Sequence, residues 1–157
     1  MAHIYEIAGH GAGDPGACGC GFQDAERVRA LASRIGDLGG QYVSLHDFNA
    51  NAYASKACTR FNFPKDWQVV ELHLDSAGAG ARGGHVIING NYPADDYDNR
   101  LANFIGGFFP GRSNIIVGRT DLYNCNICAN KGYSYRLIEC CFISNQGDMD
   151  QFNSCID

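Results

Sequence analysis

The stretch HIYEIAGHGAGDPGACGCGFQDAERVRALASRIGDLGG, residues 3–40, decides how the rest of the chain is read. Its first six residues, His3 to Ala8, have the pattern of a short strand that stops at Gly9. Six glycines and Pro15 then crowd the span from Gly9 to Gly21, which is loop chemistry. Beyond the loop, Ala25, Val28, Leu31, Ala32, Ile35 and Leu38 recur at three- and four-residue spacing. That is the apolar stripe of a helix, and Gly39-Gly40 ends it. A strand, a glycine loop and an amphipathic helix in this order open an α/β fold.

Working outward, Gln41 to Leu45 predicts a strand. Asn49 to Phe63 predicts a helix carried by Ala52, Ala54, Ala57 and Phe61 and closed by Pro64. Trp67 to Leu74 predicts an apolar strand, followed by a Gly/Ala loop from Ala77 to Gly84. His85 to Ile88, Asn114 to Gly118 and Tyr133 to Ile138 supply three more strands. Asp95 to Phe104 and Asp148 to Cys155 supply helices. The expected architecture is α/β, a single domain over residues 1–157. A central, mostly parallel twisted sheet of about six strands is flanked by helices, with no second domain expected in this chain.

Composition narrows the function. A chain of 157 residues should bury roughly 69% of its unfolded surface and leave about 7,700 Å² exposed. A net charge of −5 lacks the basic footprint of a nucleic-acid binder. The start of the chain, from Met1 to Ile7, has neither a basic region nor a long apolar run, so no export signal is expected. No apolar run is long enough for membrane insertion. Eight cysteines without such a signal predict free thiols in a reducing cytoplasm rather than a disulfide framework. Cys125 and Cys128 have Cys-x-x-Cys spacing. They lie late in the chain, without the strand-to-helix setting of a redox motif, and free thiols are expected there too.

Ligands of open α/β sheets bind beyond the carboxyl ends of the strands. His10, His73 and Glu139 sit at three predicted strand ends, and Glu26 stands in the first turns of the helix that follows the His10 loop. Two histidines and a carboxylate are a catalytic-zinc ligand set, and a second carboxylate can move protons. Taken one at a time, such a histidine also reads as a hydrogen-bonded structural residue, and such a glutamate as a favourable charge at a helix start. His85 and Arg82, next to the glycine loop, are further candidates for a substrate groove.

These residues resemble a known family. His10-Gly11-Ala12-Gly13-Asp14-Pro15-Gly16-Ala17 is similar to the His-Gly-Gly-x-Asp-x-Gly-Ala opening of the zinc-dependent N-acetylmuramoyl-L-alanine amidases (type 3 catalytic domain). Leu72-His73-Leu74-Asp75-Ser76-Ala77 is similar to their Ile-His-x-Asn-Ala segment. Leu137-Ile138-Glu139-Cys140-Cys141-Phe142-Ile143-Ser144-Asn145, with Asp148, is similar to their terminal Glu-x-Gly-Phe-x-Ser-Asn-x-x-Asp. The resemblance implies one catalytic zinc held by His10, Glu26 and His73, with Glu139 as the catalytic carboxylate. It implies hydrolysis of the bond between N-acetylmuramic acid and L-alanine in peptidoglycan, by a monomer of the phage or prophage endolysin kind. Such a protein is made in the cytoplasm and acts on the wall after release. Three departures stand out: Ala12 for a glycine, Asp75 for an asparagine, and Cys140-Cys141 where a glycine is usual. Two rival readings are a zinc peptidase cutting within the stem peptide and a non-catalytic metal- or thiol-binding domain organised by its cysteines.

Overall fold

A computed structural model describes residues 2–156. Its accessible surface is 7677 Å², as the chain length predicts. Strand β1 (Ile4–Ala8) leads through a two-residue hairpin, β2 (Cys18–Gly19) and β3 (Phe22–Gln23), into helix α1 (Asp24–Gly39). Then come β4 (Val43–Leu45), β5 (Gln68–Asp75), β6 (His85–Asn89), α2 (Asp96–Phe108), β7 (Ile116–Arg119), α3 (Tyr123–Asn130), β8 (Ser134–Phe142) and α4 (Gln146–Ile156). The six long strands form one sheet in the order β4-β1-β5-β8-β6-β7. All neighbours are parallel except β6 and β8, so the expected mostly parallel α/β sheet is present.

Two apolar layers sandwich this sheet. Val28 and Ala32 of α1, Ala102 and Ile105 of α2, and Met149 and Phe152 of α4 pack on one face with Leu72, Val86 and Ile138. On the other face Cys58, Phe61, Cys125 and Cys128 pack with Ile7, Val69, Ile87 and Leu137. The chain leaves β1 for β4 on one side and returns to β5 on the other, so the connections diverge at the β1/β5 boundary. That is the crevice where open α/β sheets take their ligands.

Two elements depart from the sequence pattern. Residues 49–63 are not a helix. They form turns and one 3₁₀ segment, Ala57–Arg60, because Asn51 caps the amide of Ala54 and Lys56 adopts left-handed φ of 54°. Ala54, one of the four residues that suggested the helix, faces solvent. Helix α3 carries no clear apolar period and could not be read from the pattern; its Cys125 and Cys128 nevertheless anchor it in the core. Helix α2 outruns its expected end because Gly106 lets it lie against Ile115, where a Cβ would come within 2.6 Å of that side chain.

Buried charge is treated in two ways. Arg136, 1% exposed, donates to Asp98, Asp95, Gln68 and Ser134, and so locks α2 to β8 with its hydrogen bonds satisfied. Glu6, on the inner strand β1, is 2% exposed and its Oε1 has no hydrogen-bond partner. Burial pushes this carboxyl up to about 8. The folded state therefore holds a proton that the unfolded chain releases above about pH 4.5, and stability falls as pH rises from there towards 8. Glu6→Gln should stabilise the protein, by an amount of order 3 kcal/mol at pH 8 and by much less at pH 5. Urea unfolding at the two pH values checks this. A gain independent of pH would show that Glu6 is not buried as a neutral acid.

Candidate active site

The strand ends bring His10, Asp24 and His73 together. His10 follows β1 in a left-handed backbone conformation (φ 58°), which points its ring back over the sheet edge. The position depends on two glycines. A Cβ on Gly16 would come within 2.5 Å of the His10 ring, and one on Gly9 within 2.2 Å of the His73 ring. Arg29 of α1 fastens the loop by donating to the carbonyls of Gly9, His10 and Phe48. Asp24, 1% exposed, opens α1 and accepts from the Leu74 amide at 3.1 Å through Oδ1. Its Oδ2 lies 3.0 Å from His10 Nε2 and 3.6 Å from His73 Nδ1, while the two ring nitrogens are 3.1 Å apart.

Each histidine has its own orienting carboxylate on the far side of the ring. His10 Nδ1 donates to Asp14 at 2.9 Å, and His73 Nε2 donates to Glu71 at 2.9 Å. Glu71 is buried and also accepts from the Tyr135 hydroxyl at 2.6 Å and the Asn124 amide at 3.0 Å. With those protons placed outward, His10 Nε2 and His73 Nδ1 present lone pairs to the same point as Asp24 Oδ2. Three donor atoms within 4.8 Å of one another, each backed by a fixed partner, fit a metal ion.

Electrostatics follow from this packing. His10 is raised above its ordinary value, chiefly by its contact with Asp24 and then by Asp14. Burial opposes charge on His73, yet Asp24 and Glu71 outweigh it and raise the ring well above the usual histidine range. Glu71 and Asp24 are held low against burial by the same contacts. Glu139 lies beside His73 in the β5–β8 register and beside His85 in the β8–β6 register, so the three form a row across the sheet. Burial pushes Glu139 up to about 7; His73 pulls the other way, and Asp75 adds to the rise. Its buried Oε2 has no hydrogen-bond partner among the described residues.

Glu26, the carboxylate expected to complete the ligand set, stands apart. Its side chain is 61% exposed and lies 3.7 Å from Arg27. Two residues along a helix rotate a side chain by about 200°, so Glu26 and Asp24 cannot share a face. Asp24 is in phase with Val28 and Ala32, the buried stripe of α1, and that phase is the sequence signal for it. Glu71 had a signal of the same kind: on β5 it is two residues before His73, hence on the same face. Of the remaining candidates, Asp75 lies 3.5 Å from Arg112, and Arg82 donates to the Pro110 carbonyl. His85 is buried, with burial and then Arg112 pushing it down to about 4.

A cavity of about 380 Å³ opens beside the cluster, lined by Asn51, Tyr53, Asp121 and Tyr123 among others. A second cavity, of about 420 Å³, lies behind Tyr135. Its Asp95 and Asp98 are committed to Arg136, and it holds no comparable donor set.

The chain matches the sequence profile of the N-acetylmuramoyl-L-alanine amidases over residues 4–156, and it belongs to that family. The Staphylococcus aureus (strain NCTC 8325 / PS 47) protein named "Probable autolysin PH" is 32% identical over 166 residues, which cover 94% of this chain. They cover 34% of the relative, so the chain spans about a third of that protein's length. Among solved structures, Cwp6 from Clostridium difficile superposes with a TM-score of 0.74 at 21% identity, over 98% of this chain and 26% of that one. The catalytic domain of the CD27L endolysin gives 0.69 at 18%, covering 96% and 87% of the two chains. The amidase Ami1 from Mycobacterium smegmatis gives 0.63 at 13%, covering 99% and 93%. At these identities the structures establish the shared fold.

All eight cysteines are free thiols, and the chemistry has moved away from them. Cys125 and Cys128 do follow a strand on a helix, but both are fully buried. Burial pushes Cys125 up to about 12, and contact with Cys58 together with burial raises Cys128. Iodoacetamide at neutral pH on the native protein should modify the exposed Cys18 and Cys155, with Cys20 slower. Cys58, Cys125, Cys128, Cys140 and Cys141 should react only after denaturation. Peptide mass mapping checks this, and rapid native labelling of Cys125 or Cys128 would contradict the packing.

Proposed function

We propose that this chain is a zinc-dependent catalytic domain that hydrolyses the amide between the lactyl group of N-acetylmuramic acid and L-alanine in peptidoglycan. The observation that carries the reading is the convergence of His10 Nε2, His73 Nδ1 and Asp24 Oδ2 beside Glu139, a half-buried carboxylate whose Oε2 is buried and unpaired among the described residues. Family membership supports the same bond and metal. One relative is named an autolysin and one neighbour an endolysin, which supports action at the cell wall.

His10, Asp24 and His73 would hold the zinc, with Asp14 and Glu71 fixing the two rings. When bound, zinc supplies Lewis acidity that polarises the amide carbonyl and makes water a better nucleophile. Glu139 Oε2 takes a proton from the attacking water as the new C–O bond forms. It passes that proton to the alanine nitrogen as the C–N bond breaks, so the amine leaves neutral. A carboxyl that its surroundings hold near neutrality suits both transfers. The burial of Oε2 itself limits exchange of that proton with bulk water. The products are the lactyl carboxylic acid and a peptide that begins with L-alanine, and the acid then gives its proton to solvent or to the amine to become the carboxylate.

Chelation should abolish lysis of purified cell walls, and zinc should restore it. Glu139→Gln should lower turnover by at least 10³-fold while zinc stays bound. Digests should contain new L-alanine amino termini; termini from other stem residues alone would make the protein a peptidase instead. Asp24→Asn should weaken zinc binding at least 100-fold, while Glu26→Gln should leave it unchanged, as read by competition with a chromophoric chelator. Glu71→Gln, which keeps the shape but removes the charge behind His73, should weaken zinc binding by roughly 10- to 100-fold.

A further inference from the structure

The scissile amide has two sides, and the surroundings of the cluster differ on the two sides in aromaticity and charge. The cavity beside His10 and His73 is walled by Tyr53, which is 65% exposed, and Tyr123. Their rings meet edge-to-face at 6.1 Å and 85°, so the pair forms one aromatic wall against which a ligand can lie. No lysine or arginine lines this cavity. Its carboxylates are already committed: Asp14 to His10, Glu71 to His73, and Asp121 to Arg119 through two bonds of 2.9 and 2.7 Å. What remains for a ligand is ring faces, hydroxyls and the edge of Asn51.

The other direction carries an arginine paired with an aspartate. Along β8, Tyr135 and Leu137 line the cavity, Glu139 comes next, and Phe142 follows opposite Asp75. Arg112 sits there, 3.5 Å from Asp75 and 5.9 Å from the Phe142 ring centroid. Glu139 therefore stands between a neutral aromatic cleft and an arginine.

We propose that the Tyr53–Tyr123 cleft is the glycan subsite, holding the N-acetylmuramoyl ring on the acyl side of the cleaved amide, while the stem peptide leaves past Glu139 towards Arg112. The assignment rests on the amidase reading and has two independent supports. A glycan whose lactyl carboxyl is tied up in an amide is neutral and presents hydroxyls, an acetamido group and apolar ring faces, which match aromatic walls with polar tips. A stem peptide carries free carboxylates, which suit the surroundings of an arginine better than a cavity already lined by Asp14, Glu71 and Asp121. The chemistry requires the same orientation, because the group that protonates the leaving nitrogen must lie on the amine side. A volume of about 380 Å³ suits one such sugar, near the lower end of ligand cavities.

The test compares two substrates of zinc-loaded protein: a disaccharide pentapeptide, and the same pentapeptide carrying only a D-lactoyl group. The wild type should favour the first. In Tyr53→Ala/Tyr123→Ala the ratio of the two kcat/KM values should fall at least ten-fold, and Tyr53→Phe/Tyr123→Phe should restore most of it. The peptide-free disaccharide should also shift the ring resonances of Tyr53 and Tyr123. If the double variant folds poorly, Tyr53→Ala alone, at an exposed position, reads the same ratio. An unchanged ratio in an active enzyme would overturn the cleft assignment, as would tyrosine shifts caused by the sugar-free peptide. Failure of the wild type to release any L-alanine amino terminus would instead overturn the amidase reading beneath it.

Discussion

The carboxylate of Asp24 ties the molecule together at its working end. One oxygen accepts from the backbone of β5 at Leu74, and the other meets His10 from the loop after β1. The first turn of α1 is thereby fixed against two strands of the sheet, at the point where the connections diverge. A buried carboxylate is stable only with partners that repay its desolvation, and two imidazoles and an amide do so here. Remove it, and His10 and His73 have nothing to converge upon.

The same logic spreads outward in shells. Asp14 and Glu71 fix the two rings by their outer nitrogens. Glu71 is held in turn by Tyr135 of the sheet and Asn124 of α3. Arg29 holds the His10 loop through backbone carbonyls, so that loop's shape depends on α1 and not on its own sequence alone. The site is consequently built on rigid elements, with two strands and the starts of two helices each supplying constraints. Precision of this kind is what a metal and a proton-transferring carboxylate need.

Much of this is legible in the sequence, and what is not has two causes. The β1 strand, the glycine loop and α1 declared themselves by period and composition, as did β5 and β8 with His73 and Glu139. Residue type and distance from the His10 loop point to Glu26. Helical phase, which puts Asp24 with Val28 and Ala32, was the better guide. Glu71 looked like one polar residue in an apolar strand, and only the tertiary partners Tyr135 and Asn124 show that it is a carboxylate at work behind His73. Residues 49–63 and α3 were misread or missed for a different reason. Their apolar residues meet the core at irregular intervals, held by Asn51, by the left-handed Lys56 and by three buried thiols, and no period records that.

Those thiols were the most conspicuous feature of the composition, and their part is to fill the face of the sheet opposite α1. The functional claim rests instead on two histidines and an aspartate. Anomalous diffraction at the zinc edge from zinc-soaked crystals tests it most directly. A single strong peak in bonding contact with His10 Nε2, His73 Nδ1 and the Asp24 carboxylate is expected. A peak held by Glu26 or by cysteine sulfur, or none at the His10–His73 pair, would contradict the account.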